Sequence, residues 1–259
     1  MPDSSAVSGP ATAPADAPAD APADAPADLS GDESTSGPFA DPVYLAAVVD
    51  LLAAIAYGEL SAFERLAEDA KLAPTLLDRA ELAGMAANEI GHYRRLADRL
   101  VGLEVDPIEA MLPFVTAFEE FHARTAPADW LEGLVKAYVG DGMAADFYRE
   151  IAAFLDNDSR TLIIESMDDT GQADFAVDRV VRAIEADPRI GGRLALWGRR
   201  LMGEALSQAQ RVAAERDALA SLLAGGVEVP GLDLAAIGRL FIRLTENHIR
   251  RMERLGLAS

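Results

Sequence analysis

Glu89 and His92, in the run Ala87-Asn88-Glu89-Ile90-Gly91-His92-Tyr93, stand three residues apart. On a helix this spacing puts both side chains on one face, where a single metal ion can touch them together. A carboxylate with an imidazole is a donor set for iron or manganese, the metals of oxygen and nitrogen ligands. Both residues fall on the stripe Leu82, Met85, Glu89, His92, Leu96, Leu100, Leu103, whose other members face a core. A carboxylate hidden on such a stripe is costly unless it is paired or bound to a metal.

Three further segments place acids in the same way. The preceding one repeats as Leu45, Val48, Leu52, Ile55, Glu59, Ala62, Leu66, with one carboxylate on the seam. A later segment reads Leu131, Leu134, Tyr138, Asp141, Ala145, Tyr148, Ala152, Leu155, and the next reads Leu162, Glu165, Asp169, Gln172, Ala176, Val180. In an antiparallel helix pair, residues equidistant from the turn lie level. The midpoint between Glu59 and Glu89 is Pro74, after Lys71-Leu72-Ala73, and that between Asp141 and Asp169 is Leu155, beside Asp156-Asn157-Asp158-Ser159. Both midpoints are turn or cap sequences, so both pairs are expected to meet roughly 20 Å from their own hairpin ends.

These seams require an all-helical chain. Ala, Leu, Glu and Arg dominate, half of the 259 residues are apolar, and alternating strand patterns are scarce. The absence of cysteine excludes disulfides, thiolate metal sites and a cysteine nucleophile. The N-terminus is neither basic nor apolar, and no apolar run is expected to reach the roughly 20 residues of a membrane span, so the expected location is cytoplasmic. The net charge of -20 is uneven. Residues 1–40 hold seven acids and no base, residues 41–178 hold 27 acids and 10 bases, and residues 179–259 hold 9 acids and 13 bases. That balance disfavours generic nucleic-acid binding and leaves only the C-terminal third to offer a basic face.

Four copies of Ala-Pro-Ala-Asp between Ala13 and Asp28 predict a disordered tail over residues 1–40, because frequent proline and little apolar content support neither helix nor core. Asp41-Pro42 then starts a helix to about Leu72, and a second runs from Pro74 to about Leu103. Asp106-Pro107 opens a helical crossover over residues 104–126. Further helices are expected from Pro127 to Leu155, Ser159 to Glu185, Asp187 to Leu223 and, after Gly225-Gly226 and Pro230, Asp233 to Leu255. Residues 41–186 would form a four-helix bundle with that crossover, and residues 187–259 two helices packed on it or joining a homo-oligomer.

Two helical hairpins, each offering an acid and then Glu-x-x-His or its counterpart, resemble the ferritin-like superfamily of di-iron carboxylate proteins. Within it the chain is similar to the bacterial branch related to the tRNA hydroxylase that acts on 2-methylthio-isopentenyl-adenosine. The resemblance implies metal ligands at Glu59, Glu89, His92, Asp141, Asp169 and Gln172, with iron as cofactor, dioxygen activation, an electron donor and hydroxylation of a modified tRNA nucleoside or another bulky substrate. Asp141 and Asp169 are each one methylene shorter than the family's Glu, and Gln172 stands where the second His is expected. An amide is a poorer ligand than imidazole for iron, so two metals, one or none all remain open; Glu165, one turn before Asp169, is a geometric substitute.

Arg193, Arg199, Arg200, Arg243, Arg250 and Arg251 would have to provide the tRNA route, and at such spacing they equally suit solvated helix faces. The competing reading is a non-catalytic ferritin-like module acting in self-association or partner binding. Iron storage is the third, which the tail and the two extra helices do not favour. His248 reads as a core or capping residue, and His122, beside Glu119 and Glu120, as a surface one. Tyr93, Tyr138 and Tyr148 have the spacing of packing aromatics with hydroxyls able to reach a ligand.

Overall fold

A computed structural model describes residues 38–167, 172–224 and 234–258; the Ala-Pro-Ala-Asp repeats and Asp169 lie outside the described residues. Among the described residues the helices are α1 (Pro42–Asp69), α2 (Leu76–Gly102), α3 (Pro107–Arg124), α4 (Trp130–Ala152), α5 (Asn157–Ser166), α6 (Gln172–Ala186), α7 (Arg189–Glu215), α8 (Asp217–Ala224) and α9 (Leu234–Arg254), and there is no strand.

Side-chain caps start the helices where the sequence places them. The Asp41 carboxylate accepts from Val43 N at 2.9 Å ahead of Pro42, and Thr75 Oγ1 accepts from Asp78 N at 3.1 Å to open α2. Asp106 caps α3, Asp129 caps α4 and Asp156 caps α5 in the same way. Each satisfies amides that a helix cannot satisfy itself, worth about 1 kcal/mol apiece.

α1 and α2 form one hairpin and α4 turns back through α5; α1 packs on α4 and α2 on α5, which closes a four-helix bundle with α6 continuing the fourth position along α4. The α3 crossover lies between α1 and α7. Antiparallel α1 and α4 are held in register at two points. Tyr44 and Asp156 exchange hydrogen bonds of 2.9 and 2.6 Å near one end. At the other, Asp69 lies so close over Gly133 that a Cβ there would stand 2.9 Å from Asp69 Oδ2. Counting inward from these points sets Glu59 level with Asp141 and Gly142.

Four expectations change. The helix anticipated from Ser159 to Glu185 is described as α5 and α6, with residues 168–171 between them outside the description. In α5 the buried face is Ser159, Ile163 and Ser166, one step out of phase with the Leu162 and Glu165 seam, because Ile163 packs fully into the core. The helix anticipated from Asp187 to Leu223 leaves helical geometry at Arg216 (φ -124°, ψ 89°). No Gly or Pro marks this break; Arg216 bonds the buried Asp50 carboxylate, with Nε 3.0 Å from Oδ2, and that pairing overrides local preference. Finally, residues 42–72 are long and apolar enough by composition to cross a membrane, contrary to expectation. Half of that apolar window is buried within the fold, and its charged interruption, Asp50, is neutralised by Arg216.

The C-terminal helices pack on the bundle. α7 docks on the start of α4, where Trp197 Nε1 donates to the Glu132 carbonyl at 2.9 Å and Arg193 pairs with Asp129 and Glu132. α9 lies along α4, with Arg251 over Gly142 and bonded to Asp146.

The core falls into two apolar clusters. One gathers Leu66, Leu82, Met85, Leu134, Met143, Leu194 and Met252 among others, and the second Leu52, Ile55, Leu96, Phe114, Ile151 and Ile163 among others. On α1 the boundary between them falls between Ile55 and Leu66, on α2 between Ala86 and Leu96, and on α4 between Met143 and Ile151. Glu59, Glu89 and His92 sit in that boundary.

Candidate metal centre and its cavity

The helical hairpin brings three donors together. His92 Nδ1 lies 3.3 Å from Glu59 Oε2 and 3.3 Å from Glu89 Oε2. One ligand atom from each residue lies within 4.8 Å of the other two, the one such cluster of three among the described residues. Glu89 is buried and the Glu59 and His92 side chains are nearly so. Burial pushes the Glu59 carboxyl up, with the bond to His92 opposing. Hydrogen bonds to Glu59 and then Glu89 raise the His92 imidazole to about 9 against its burial.

The donor set fits a divalent ion. Carboxylate oxygens and imidazole nitrogens each sit about 2.0 to 2.2 Å from such a metal, so neighbouring ligands of one ion stand roughly 3.0 to 3.5 Å apart. The two 3.3 Å separations already have that value. Glu59, Glu89 and His92 therefore form a site suited to iron or another metal of the same ligand preference.

The other anticipated ligands are placed differently. Asp141 lines the same cavity as the three donors but does not join their cluster. Glu165 is exposed and outside the cavity lining, and its backbone carbonyl accepts from Arg95 Nη2 at 3.3 Å. Asp169 and the side chain of Gln172 lie outside the described residues.

The centre opens into a cavity of about 800 Å³, within the range of small-molecule sites. Apolar side chains such as Leu51, Ile55, Leu66, Phe118 and Met143 make up most of the wall, and Tyr138 and Tyr148 also line it. Burial and the nearby Glu59 raise the Tyr148 phenol, keeping it protonated.

A second polar group lines the cavity, and helical periodicity carries little sign of it. It consists of Arg65 and Asp69 on α1, His122 on α3 and Lys136 on α4. His122, expected on the surface, is half-buried and its Nδ1 has no hydrogen-bond partner; burial depresses its imidazole to about 3. Lys136 is buried and donates to the Thr125 carbonyl at 2.8 Å. A lysine inside the apolar run Leu131 to Val139 was the available signal. His248 is a core residue, buried with neither ring nitrogen partnered, and burial lowers its pKa.

Asp69 gives the fold a pH dependence of known sign. Burial pushes its carboxyl up to about 6, with Lys136 partly offsetting. The folded chain therefore holds this proton more tightly than the unfolded one, contributing stability that is complete below about pH 4 and lost as pH rises through about 6. In Asp69→Asn that component is absent, and urea midpoints measured between pH 4 and 6.5 should fall less steeply than in the native chain. An unchanged slope would remove Asp69 as its source.

With bundle and centre defined, comparison with known proteins agrees. A family model for ferritin-like domains of actinomycetes matches residues 42–226, which spans α1 to α8. The chain belongs to this ferritin-like family. The match runs beyond residue 186, so α7 and α8 are part of the family domain. No curated protein matches the chain.

Proposed function

We propose that the chain binds iron through Glu59, Glu89 and His92 and oxidises a small, largely apolar molecule held in the adjoining cavity. The observation that carries this reading is the junction itself: three metal donors spaced for one ion open into a cavity of small-molecule size with mostly apolar walls. Manganese shares the ligand preference and is the alternative ion.

Bound iron supplies dioxygen activation. The reaction class is hydroxylation: one oxygen atom enters a C–H bond, and the other leaves as water with two electrons and two protons from a separate reductant. The protein's own residues supply the rest. His92 is fixed between two carboxylates, the apolar wall excludes water from the oxidised carbon, and Tyr148, raised by burial and by the charge of Glu59, keeps its phenolic proton. A second ion would draw on Asp141, with Asp169 and Gln172 as its further ligands.

A cavity-sized substrate is supported better than a nucleoside within tRNA. The arginines that a tRNA route needs are already engaged: Arg193 with Asp129 and Glu132, Arg243 with Glu150, Arg251 with Asp146, and Arg250 with Asn247. Arg199 and Arg200 donate to the Ala258 and Arg124 carbonyls at 3.0 and 2.6 Å. Such pairs make a neutralised surface rather than a phosphate-binding one.

Oxygen uptake tests the reading. Chain loaded anaerobically with ferrous iron and mixed with oxygenated buffer and ascorbate should consume dioxygen faster than the same iron in buffer. Uptake equal to that of free iron would favour the non-catalytic module.

A further inference from the structure

We infer that Arg65, His122 and Lys136 form the head-group site of the cavity, and that its ligand is an amphipathic monocarboxylate whose carboxylate they bind and whose apolar chain runs past the metal level. That the bound acid is the molecule oxidised rests on the reading above; the head-group site itself does not.

Geometry comes first. With Asp69 against Gly133 and Tyr44 against Asp156, antiparallel counting places Lys136 level with Arg65. Arg65 is six residues beyond Glu59 on α1, roughly 9 Å along the axis. His122 joins them from α3, lining the same cavity and feeling the charges of Lys136 and Arg65. The group is thus separate from the metal donors and connected to them by one apolar-walled space.

Part of its hydrogen-bonding capacity is unspent. Arg65 Nε and His122 Nδ1 are both buried with no hydrogen-bond partner. Buried polar atoms left in this state are rare and costly, and a ligand can relieve that cost. The Lys136 ammonium, over the Phe121 ring at 5.5 Å, makes one bond, to the Thr125 carbonyl, of the three it can donate.

Charge then selects the ligand. At this end of the cavity two cations face the carboxylate of Asp69, while the lining carboxylates Glu59 and Glu89 belong to the metal donors. Glu68 takes Arg65 Nη1 at 2.8 Å from the exposed side, where its own side chain is 59% accessible. Burial depresses Lys136 to about 8, the response of a cation short of water and counter-charge. An incoming carboxylate supplies acceptors for the unspent donors and a second negative charge. A neutral head would supply only the first, and the apolar walls beyond require the remainder of the molecule to be hydrocarbon-like.

Calorimetric titration of the full chain with dodecanoate and with dodecanol at pH 7.5 tests this, with iron content measured on the same samples. Dodecanoate should bind about tenfold or more tightly than dodecanol, the size expected of charge-assisted hydrogen bonds. Arg65→Met should lose most of that preference while keeping its iron. Lys136→Met should lose it too, although removal of the bond to Thr125 can also lower stability, so Arg65→Met is the deciding variant. Equal affinities for acid and alcohol, no binding of either, or a preference unchanged in Arg65→Met would overturn the head-group site. Acid preference in a chain that takes up no iron would leave the site standing and remove the oxidation reading; iron uptake without acid preference would do the reverse.

Discussion

Replacing His92 with alanine is expected to reduce bound iron from about one ion per chain to less than about a tenth, because one of the three donors clustered among the described residues is lost. The same change should destabilise the metal-free chain. His92 Nδ1 is the hydrogen-bond partner of Glu59 and lies equally close to Glu89, and without it two buried carboxyls face each other across an apolar boundary. Loss of a partner in such a set costs about 1 to 3 kcal/mol, with protonation of a carboxyl limiting the loss. Metal analysis beside urea denaturation separates the two effects. A His92→Ala chain that folds and still carries stoichiometric iron would show that the metal is held elsewhere.

The opposite stability change is expected when all three donors are made apolar. Glu59→Leu, Glu89→Leu and His92→Leu together should give a chain that binds no iron and is more stable than the metal-free native one by about 1 to 4 kcal/mol. The reason lies in the layering of the core. These side chains occupy the boundary between two apolar clusters, so leucines there would join the clusters and remove the desolvation that raises Glu59. Adjoining cavity space relieves overpacking. Loss of stability in the triple variant would mean that the donors serve the fold as a hydrogen-bonded network instead of serving a metal.

Much of this centre was legible because acids on an apolar stripe are physically anomalous. Glu59, Glu89 and His92 stood out for that reason, and counting about Pro74 correctly set them level, since Thr75 caps α2 at that turn. The Asp156 cap falls at the turn expected beside Leu155, but Asp169, which that count sets level with Asp141, lies outside the described residues. Glu165 faces outward, against the sequence expectation, because a short helix takes its phase from its best core residue, and Ile163 and Ser166 set the buried face of α5. His122 and Lys136 escaped because their meeting depends on where the α3 crossover lies against α1 and α4. Periodicity within one helix carries no information about that placement. The break at Arg216 escaped for a similar reason: its cause, Asp50, lies 166 residues away in the chain.

Anomalous diffraction at the iron edge from crystals of the ferrous-loaded chain tests the central claim most directly. The account predicts a peak bounded by Glu59, Glu89 and His92; no peak, or one away from these three side chains, would contradict it.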